Sequence, residues 1–370
     1  MAKSDMKLTP KRILLIGAIV ILLLAAVLIL TGRTHPKQPA SVAAVRLGCT
    51  DNGSMKLFGN RMLYYDGSSL YCITPSGAEA WRFDVGADAW YDCNDTDIAI
   101  WRGSSLFVLN AKGESTYSDS LGEPIQFARI GQQYVGAVIG NTTSPRLVVK
   151  DLTGAHMDEE SDAYQGLIMM DIGFYGTKGQ YMWTLATDVF GTSANTILNT
   201  YEVGKTSATS VSLGSNIPYG VVYDNSLLNV ITTRKIRVFN DKHTEDTAAA
   251  RLVYGWTCLC HESGKNGTAY LFAPEPQTNS GSYRIDELRC LLGDADKRLS
   301  LPETCCGAAL YGGGVYAFSS RVLYVAKQND IRFQAYELPA ELNVTSLIGF
   351  LKDGKAVVAC NEDLYVLTLL

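Results

Sequence analysis

The sequence predicts an all-β protein: an eight-bladed β-propeller, closed by pairing of its N- and C-terminal strands and preceded by one transmembrane helix. Three observations carry this. A motif recurs at a 36-residue offset, no stretch after residue 40 keeps a 3.6-residue apolar period, and one run ahead of the repeats can cross a bilayer. The 370 residues are 47% hydrophobic and 19% charged, enough to bury a large core and too apolar for a disordered chain. With 34 Gly and 20 Tyr against 11 Pro, strands joined by tight turns are favoured. A single apolar run also excludes a multi-span channel or transporter.

The N-terminal elements come first. Between Ile13 and Thr31 there is no charge, and these 19 residues span about 28 Å at about 1.5 Å each, close to the hydrocarbon thickness. Lys3, Lys7, Lys11 and Arg12 precede the run against one acid, Asp5, while only Arg33 and Lys37 follow before residue 40. The positive-inside rule then assigns residues 1–12 to a cytoplasmic tail, 13–31 to an uncleaved signal anchor, 32–40 to a spacer and 41–370 to an extracytoplasmic domain. A cleaved signal would have a shorter apolar core and a small-x-small site close behind it, where this chain has Thr31-Gly32-Arg33. Residues 41–370 hold 26 basic and 36 acidic side chains, a net of −10. Nucleic acid, which needs clustered Lys and Arg, is therefore not an expected partner.

The repeats follow. Residues 65–73 align with 101–109 at an offset of 36 throughout; Gly77 then falls on Gly113, and Trp81 on Tyr117. Looser copies place an apolar anchor equivalent to Leu70 and Leu106 at Leu147, Leu198, Ile236, Leu288, Leu323 and Leu364, at spacings averaging 42. That length holds about four short strands, one propeller blade. The last unit lacks a fourth strand, while residues 42–47 precede the first unit with nothing to pair with. Joining the two removes both exposed edges and gives eight blades; misreading one irregular unit would give seven.

The aromatic-ended Gly-turn units, Leu70-Tyr71-Cys72-Ile73 through Gly77 to Trp81, resemble the repeats of quinoprotein-like (PQQ-like) propellers, related in form to WD40 repeats. One anchor followed by such repeats is similar to a bacterial family of membrane-anchored propellers of unknown function. The resemblance implies a bacterial envelope location and covers nearly all of residues 41–370. Its enzymatic members are longer, with adjacent cysteines and a channel-bound calcium, acidic base and cofactor-stacking Trp. Here Cys305-Cys306 match the cysteine pair, as two side chains opening an inner strand, but the rest of that set is not found. No cofactor is expected.

Four further patterns bear on chemistry. Cys258, Cys260 and His261 lie close together, with Cys258 and Cys260 on one side if the segment is a regular strand, and Cys290 in the same unit. They are the metal candidates, although Cys-x-x-Cys spacing is missing and buried free thiols or a disulfide account for the cluster more simply. Asp92, Asn94, Asp95 and Asp97 lack the Gly and Glu of a calcium loop and read as a solvated turn. With four His residues and no Gly-x-Ser-x-Gly turn, His-Glu-x-x-His helix or phosphate-binding Gly loop, no catalytic residue is assigned. The long spacings of 51 and 52 mark insertions at residues 187–196 and 274–283, between the second and third strands of their blades. Asp188, Phe190, Pro276 and Tyr283 are the expected contacts for an envelope protein or glycan, because lengthened loops on a rigid scaffold carry function. The expected role is a non-catalytic binding scaffold; the alternative is an exported enzyme with a quinone or metal in the channel.

Overall fold

In the computed structural model the described residues are 42–369, apart from 161–162, 206–207, 225, 241–243, 266, 277–283 and 329–331. They form 32 strands in eight four-stranded antiparallel sheets, with no helix. Residues 1–41, with the expected tail, anchor and spacer, lie outside the described residues; no described helix is long and apolar enough to cross a membrane.

Blade one shows how the repeat is built. Its strands are Lys56–Phe58, Arg61–Tyr65, Ser69–Ile73 and Glu79–Asp84, each paired with the next. The eight apolar anchors all fall on the third strand of their blade, and from Leu70 at 1% to Ile236 and Leu323 at 2% none is appreciably exposed. A third strand has partners on both edges and a neighbouring blade on each face, so it selects an apolar residue most strictly.

The recurrent glycine and aromatic pair has an equally physical origin. The Trp81 ring of blade one packs on the turn glycine of blade two, and a Cβ on Gly113 would stand 2.5 Å from it. Trp81 Nε1 also donates to Ala111 O at 3.1 Å. One blade on, a Cβ on Gly154 would lie 2.0 Å from Tyr117. Both glycines have positive φ, +78° and +93°. Gly154→Ala is therefore expected to lower the stability measured by urea unfolding by about 2–4 kcal/mol, backbone strain and ring displacement combined. Gly122→Ala, at φ +81° with nothing within 4 Å, should lose only about 1 kcal/mol.

Closure is as the sequence predicts. Ala43–Thr50 pairs antiparallel with Asp363–Thr368, matching Ala43 to Thr368, Ala44 to Leu367, Val45 to Val366 and Arg46 to Tyr365. The N-terminal strand is thus the outermost of blade eight, whose inner strands are Ser346–Phe350 and Ala356–Cys360. There are eight blades, and the seven-bladed alternative falls away.

The first strands of neighbouring blades touch, as with Trp90–Cys93 and Ile125–Ile130, and so form the inner ring. Up-and-down connectivity then gives the disc two chemically separate faces. Connections between blades and the loops joining second to third strands emerge on one, the connection face. Turns joining first to second and third to fourth strands emerge on the other, the turn face.

Two local departures matter. In blade five the fourth strand is only Arg251–Leu252, and its place beside Lys235–Phe239 is completed by residues 244–246. Arg237, 9% exposed, holds that segment by donating to both Glu245 oxygens, at 2.9 and 2.5 Å. These bonds keep the Glu245 carboxyl below its ordinary value of 4.5. The contribution is complete above pH 4.5 and is lost as pH falls through the lowered folded value. Wild type should exceed Glu245→Gln by about 2 kcal/mol at neutral pH, a gap that closes in acid, as denaturation at stepped pH would show.

The second departure is a β-bulge in Trp256–Gly264 of blade six, which pairs Cys258 with Phe272 but Cys260 with Leu271. Adjacent partners face opposite ways, so Cys258 and Cys260 lie on opposite sides of the sheet and not on one side as regular alternation requires. The Cys305-Cys306 expectation is also corrected. Cys305 ends the outer strand Ala295–Cys305 of blade six, and Cys306 stands just before Gly307–Tyr311, the inner strand of blade seven.

Candidate functional site

Ten large apolar side chains are exposed among the described residues, and eight of them sit on the connection face: Trp90, Met170, Val189, Phe190, Ile217, Tyr219, Leu252 and Tyr254. Tyr254, Leu252, Trp90 and Phe190 are 77%, 74%, 69% and 64% exposed. Exposed large apolar side chains gathered on one face of a molecule are a feature of interaction surfaces.

The backbone holds these side chains out. Asp188 ends the second strand of blade four, and its carboxylate accepts the Phe190 N–H at 2.9 Å, which turns the chain and projects the ring. Tyr254 lies between blades five and six, where Glu275 N donates to Gly255 O at 3.0 Å and ties the blade-six loop beside it. Pro276 is exposed on that loop; Tyr283 lies outside the described residues. Of the four expected contacts, the three described ones therefore share one face, as the loop positions imply. Sequence reading did not single out Trp90, Leu252 and Tyr254, which sit at or between strand ends flanking interblade connections of ordinary length. Their only signal is an aromatic or aliphatic residue beside turn-formers, as in Ala87-Asp88-Ala89-Trp90.

Around Trp90 the face sinks into a cleft of about 740 Å³ lined by Trp90, Tyr91, Trp101 and Phe127, with Lys56 and Arg129 at its polar side. Lys56 Nζ pairs with Asp92 at 3.2 Å, and Arg129 with Asp171 at 2.9 Å. Burial raises the Asp171 carboxyl, and Arg129 opposes that rise. These four charged residues come from the inner strands of four successive blades and pair off, while Asp88 adds a carboxylate to the lining.

The metal candidates do not converge. Cys258 and His261 share one side of the blade-six sheet, Cys260 and Cys290 the other. Among the described residues no three His, Cys, Asp or Glu side chains are grouped as a metal would need. All nine cysteines are free, and burial pushes the Cys258 and Cys305 thiols up to about 12 and the Cys260 and Cys290 thiols up to about 11. At such values the thiolate fraction near neutral pH is negligible, so these sulfurs behave as small core side chains. Asn94 Oδ1 accepts the N–H groups of Thr96 and Asp97, both at 2.8 Å, and Asp95 pairs with Lys352 at 2.9 Å, so the acidic run forms a hydrogen-bonded turn. His156 and His261 are exposed on strands; His35 and His243 lie outside the described residues.

No protein-family profile matches the chain, and no curated protein does. Solved structures do resemble it. BamB from Moraxella catarrhalis is 10% identical, with a TM-score of 0.53 over 90% of this chain and 100% of that one. The shared fold is that of a β-propeller. The N-terminal part of BBS1, solved in complex with ARL6, is 12% identical with a TM-score of 0.47, covering 90% of this chain and 96% of that one. The WD40 domain of Neurospora crassa Pan2 is 8% identical with a TM-score of 0.46, over 75% and 87% of the two chains. At these identities the likeness concerns fold alone.

Proposed function

We propose that this protein is a single-pass, membrane-anchored, extracytoplasmic β-propeller that works as a non-catalytic protein-binding scaffold through its connection face. The observation that carries the reading is that, among the described residues, eight of the ten exposed large apolar side chains lie on that face. A rigid ring fixes their relative positions, so a partner gains apolar contact without ordering the scaffold first. Aromatic residues dominate the most exposed positions, and these are the side chains that anchor protein interfaces. Anchoring rests on residues 13–31 and the charge asymmetry around them.

The test is to express the full chain, fractionate cells and purify it in detergent. Retention in membranes after an alkaline wash, with neither stoichiometric metal nor quinone absorbance, is the expected result. Recovery in the soluble fraction overturns the anchor, and a stoichiometric quinone, calcium or zinc overturns the scaffold.

A further inference from the structure

The cleft at Trp90 spans blades one to three, apart from Phe190 on blade four and Tyr254 beyond blade five, and its walls are fixed before any ligand arrives. Tyr65 holds both of them. Its carbonyl accepts from Asn52 Nδ2 and Ser54 Oγ, both at 2.9 Å, which ties down residues 52–54. Its hydroxyl donates to Gly86 O at 2.7 Å and accepts from Ala89 N at 3.2 Å, which ties down the connection carrying Asp88. Asp88 has φ +59°, a left-handed backbone that is unfavourable for a residue with a side chain and persists where its surroundings over-determine it, as they do at functional sites.

The polar atoms of the lining are not all spent. Lys56 Nζ donates to Tyr91 O at 2.8 Å and to Asp92 at 3.2 Å, and keeps one further N–H. Arg129 uses Nε on Asp171 at 2.9 Å and Nη1 on Ala128 O at 3.1 Å, and keeps the rest of its guanidinium donors. Gln126 Nε2 donates to Gly140 O and Asn141 O, which leaves Oε1 to accept. The Asp88 carboxylate and Trp90 Nε1 have no partner among the described residues. The rings divide likewise. Lys56 lies over Tyr91 at 5.1 Å and Arg129 over Phe127 at 5.3 Å, and Trp101 is buried, while no described ring or cation covers the Trp90 indole.

We propose that this cleft binds an uncharged pyranose saccharide, one sugar ring stacking its C–H face on Trp90 while its hydroxyls bond Asp88, Gln126, Lys56 and Arg129. A ligand that is apolar on one face and both donor and acceptor at its edge uses a bare indole, spare N–H groups and spare acceptor oxygens together. A cationic side chain would suit Trp90 and Asp88 but would also face Lys56 and Arg129. An anion would meet Asp88, with Lys56 and Arg129 already matched by Asp92 and Asp171. An apolar peptide side chain would strip water from these charges and return no hydrogen bond. The volume of about 740 Å³ suits a di- or trisaccharide. Hydroxyl-rich ligands gain little net free energy per hydrogen bond, so walls ordered in advance are what such a site requires.

The test titrates cellotriose and triacetylchitotriose, both uncharged, against the full chain purified in a polyoxyethylene detergent, which unlike an alkyl maltoside carries no sugar. Saturable binding of at least one, with a dissociation constant of about 1 mM or below, is expected, and saturation transfer should be strongest at the ring C–H protons. Trp90→Ala should weaken it by at least about tenfold at an unchanged unfolding midpoint, because the ring is largely exposed. Asp88→Asn keeps an acceptor oxygen and tolerates positive φ, so it should lose about threefold, where a bound cation would be lost outright. No binding of either sugar overturns the assignment, as does binding that Trp90→Ala leaves intact. Tighter binding of triarginine or of trigalacturonate makes a cation or an anion the occupant and overturns it too. Saccharide binding at Trp90 is independent of the membrane anchor and of the protein-binding surface around Phe190, so either can fail without the other.

Discussion

A chain lacking residues 43–50 is expected to lose its cooperative unfolding transition or to fall in stability by at least about 5 kcal/mol, and to aggregate. The strand satisfies the outer edge of Asp363–Thr368 and places Leu47, 3% exposed, against Met62 and Ile73 of blade one. Burying one such leucine is worth about 2–4 kcal/mol, and the backbone bonds of the ladder add to it. Removal also leaves a long apolar edge, with Leu364 and Val366 on it, free to pair with another chain. Leu47→Asp tests the packing alone and should lower stability by about 3–4 kcal/mol with the ladder intact. The Arg46–Asp363 ion pair across the same two strands is exposed, so Arg46→Ala should leave the unfolding midpoint near wild type. Urea unfolding together with sedimentation velocity decides the matter. A truncated chain that unfolds at the wild-type midpoint as a single species would show that the ring does not need its clasp.

Phe190→Asp combined with Tyr254→Asp is expected to weaken capture of the partner proposed for the connection face by at least about 100-fold, while the unfolding midpoint stays near wild type. Aromatic anchors at the centre of an interface contribute about 2 kcal/mol or more each, and a charge buried there adds a desolvation penalty. Both side chains are largely exposed in the free protein, so their replacement leaves the blades intact. Lys205→Asp with Lys265→Asp, on the opposite face, serves as the control and should leave capture unchanged. Quantitative binding on immobilised full-length chain reads both. Equal losses from the two pairs would mean that a general surface property, and not this face, holds the partner.

How much of this was legible beforehand follows from which residues answer to local rules. Eight apolar anchors at near-regular spacing marked the third strands, because a strand covered on both faces tolerates little else. The glycine and aromatic pair was visible as a 36-residue recurrence, although its cause, one blade's ring seated on the next blade's turn, lies between units and not within one. Insertion lengths pointed to the connection face but not to all of its exposed apolar side chains, since Phe190 sits on a long loop and Trp90 and Tyr254 do not.

The linear pattern was sufficient for strand identity, blade number and terminal closure, because period, turn residues and the need to satisfy sheet edges are properties of short segments and their repetition. Three-dimensional packing alone decided the rest. One extra residue in a strand of blade six sends Cys258 and Cys260 to opposite sides, which spacing could not reveal. Exposed apolar side chains far apart in sequence came to lie on one face, because neighbouring strands in every blade run antiparallel and so deliver the same kind of loop to the same side of the disc.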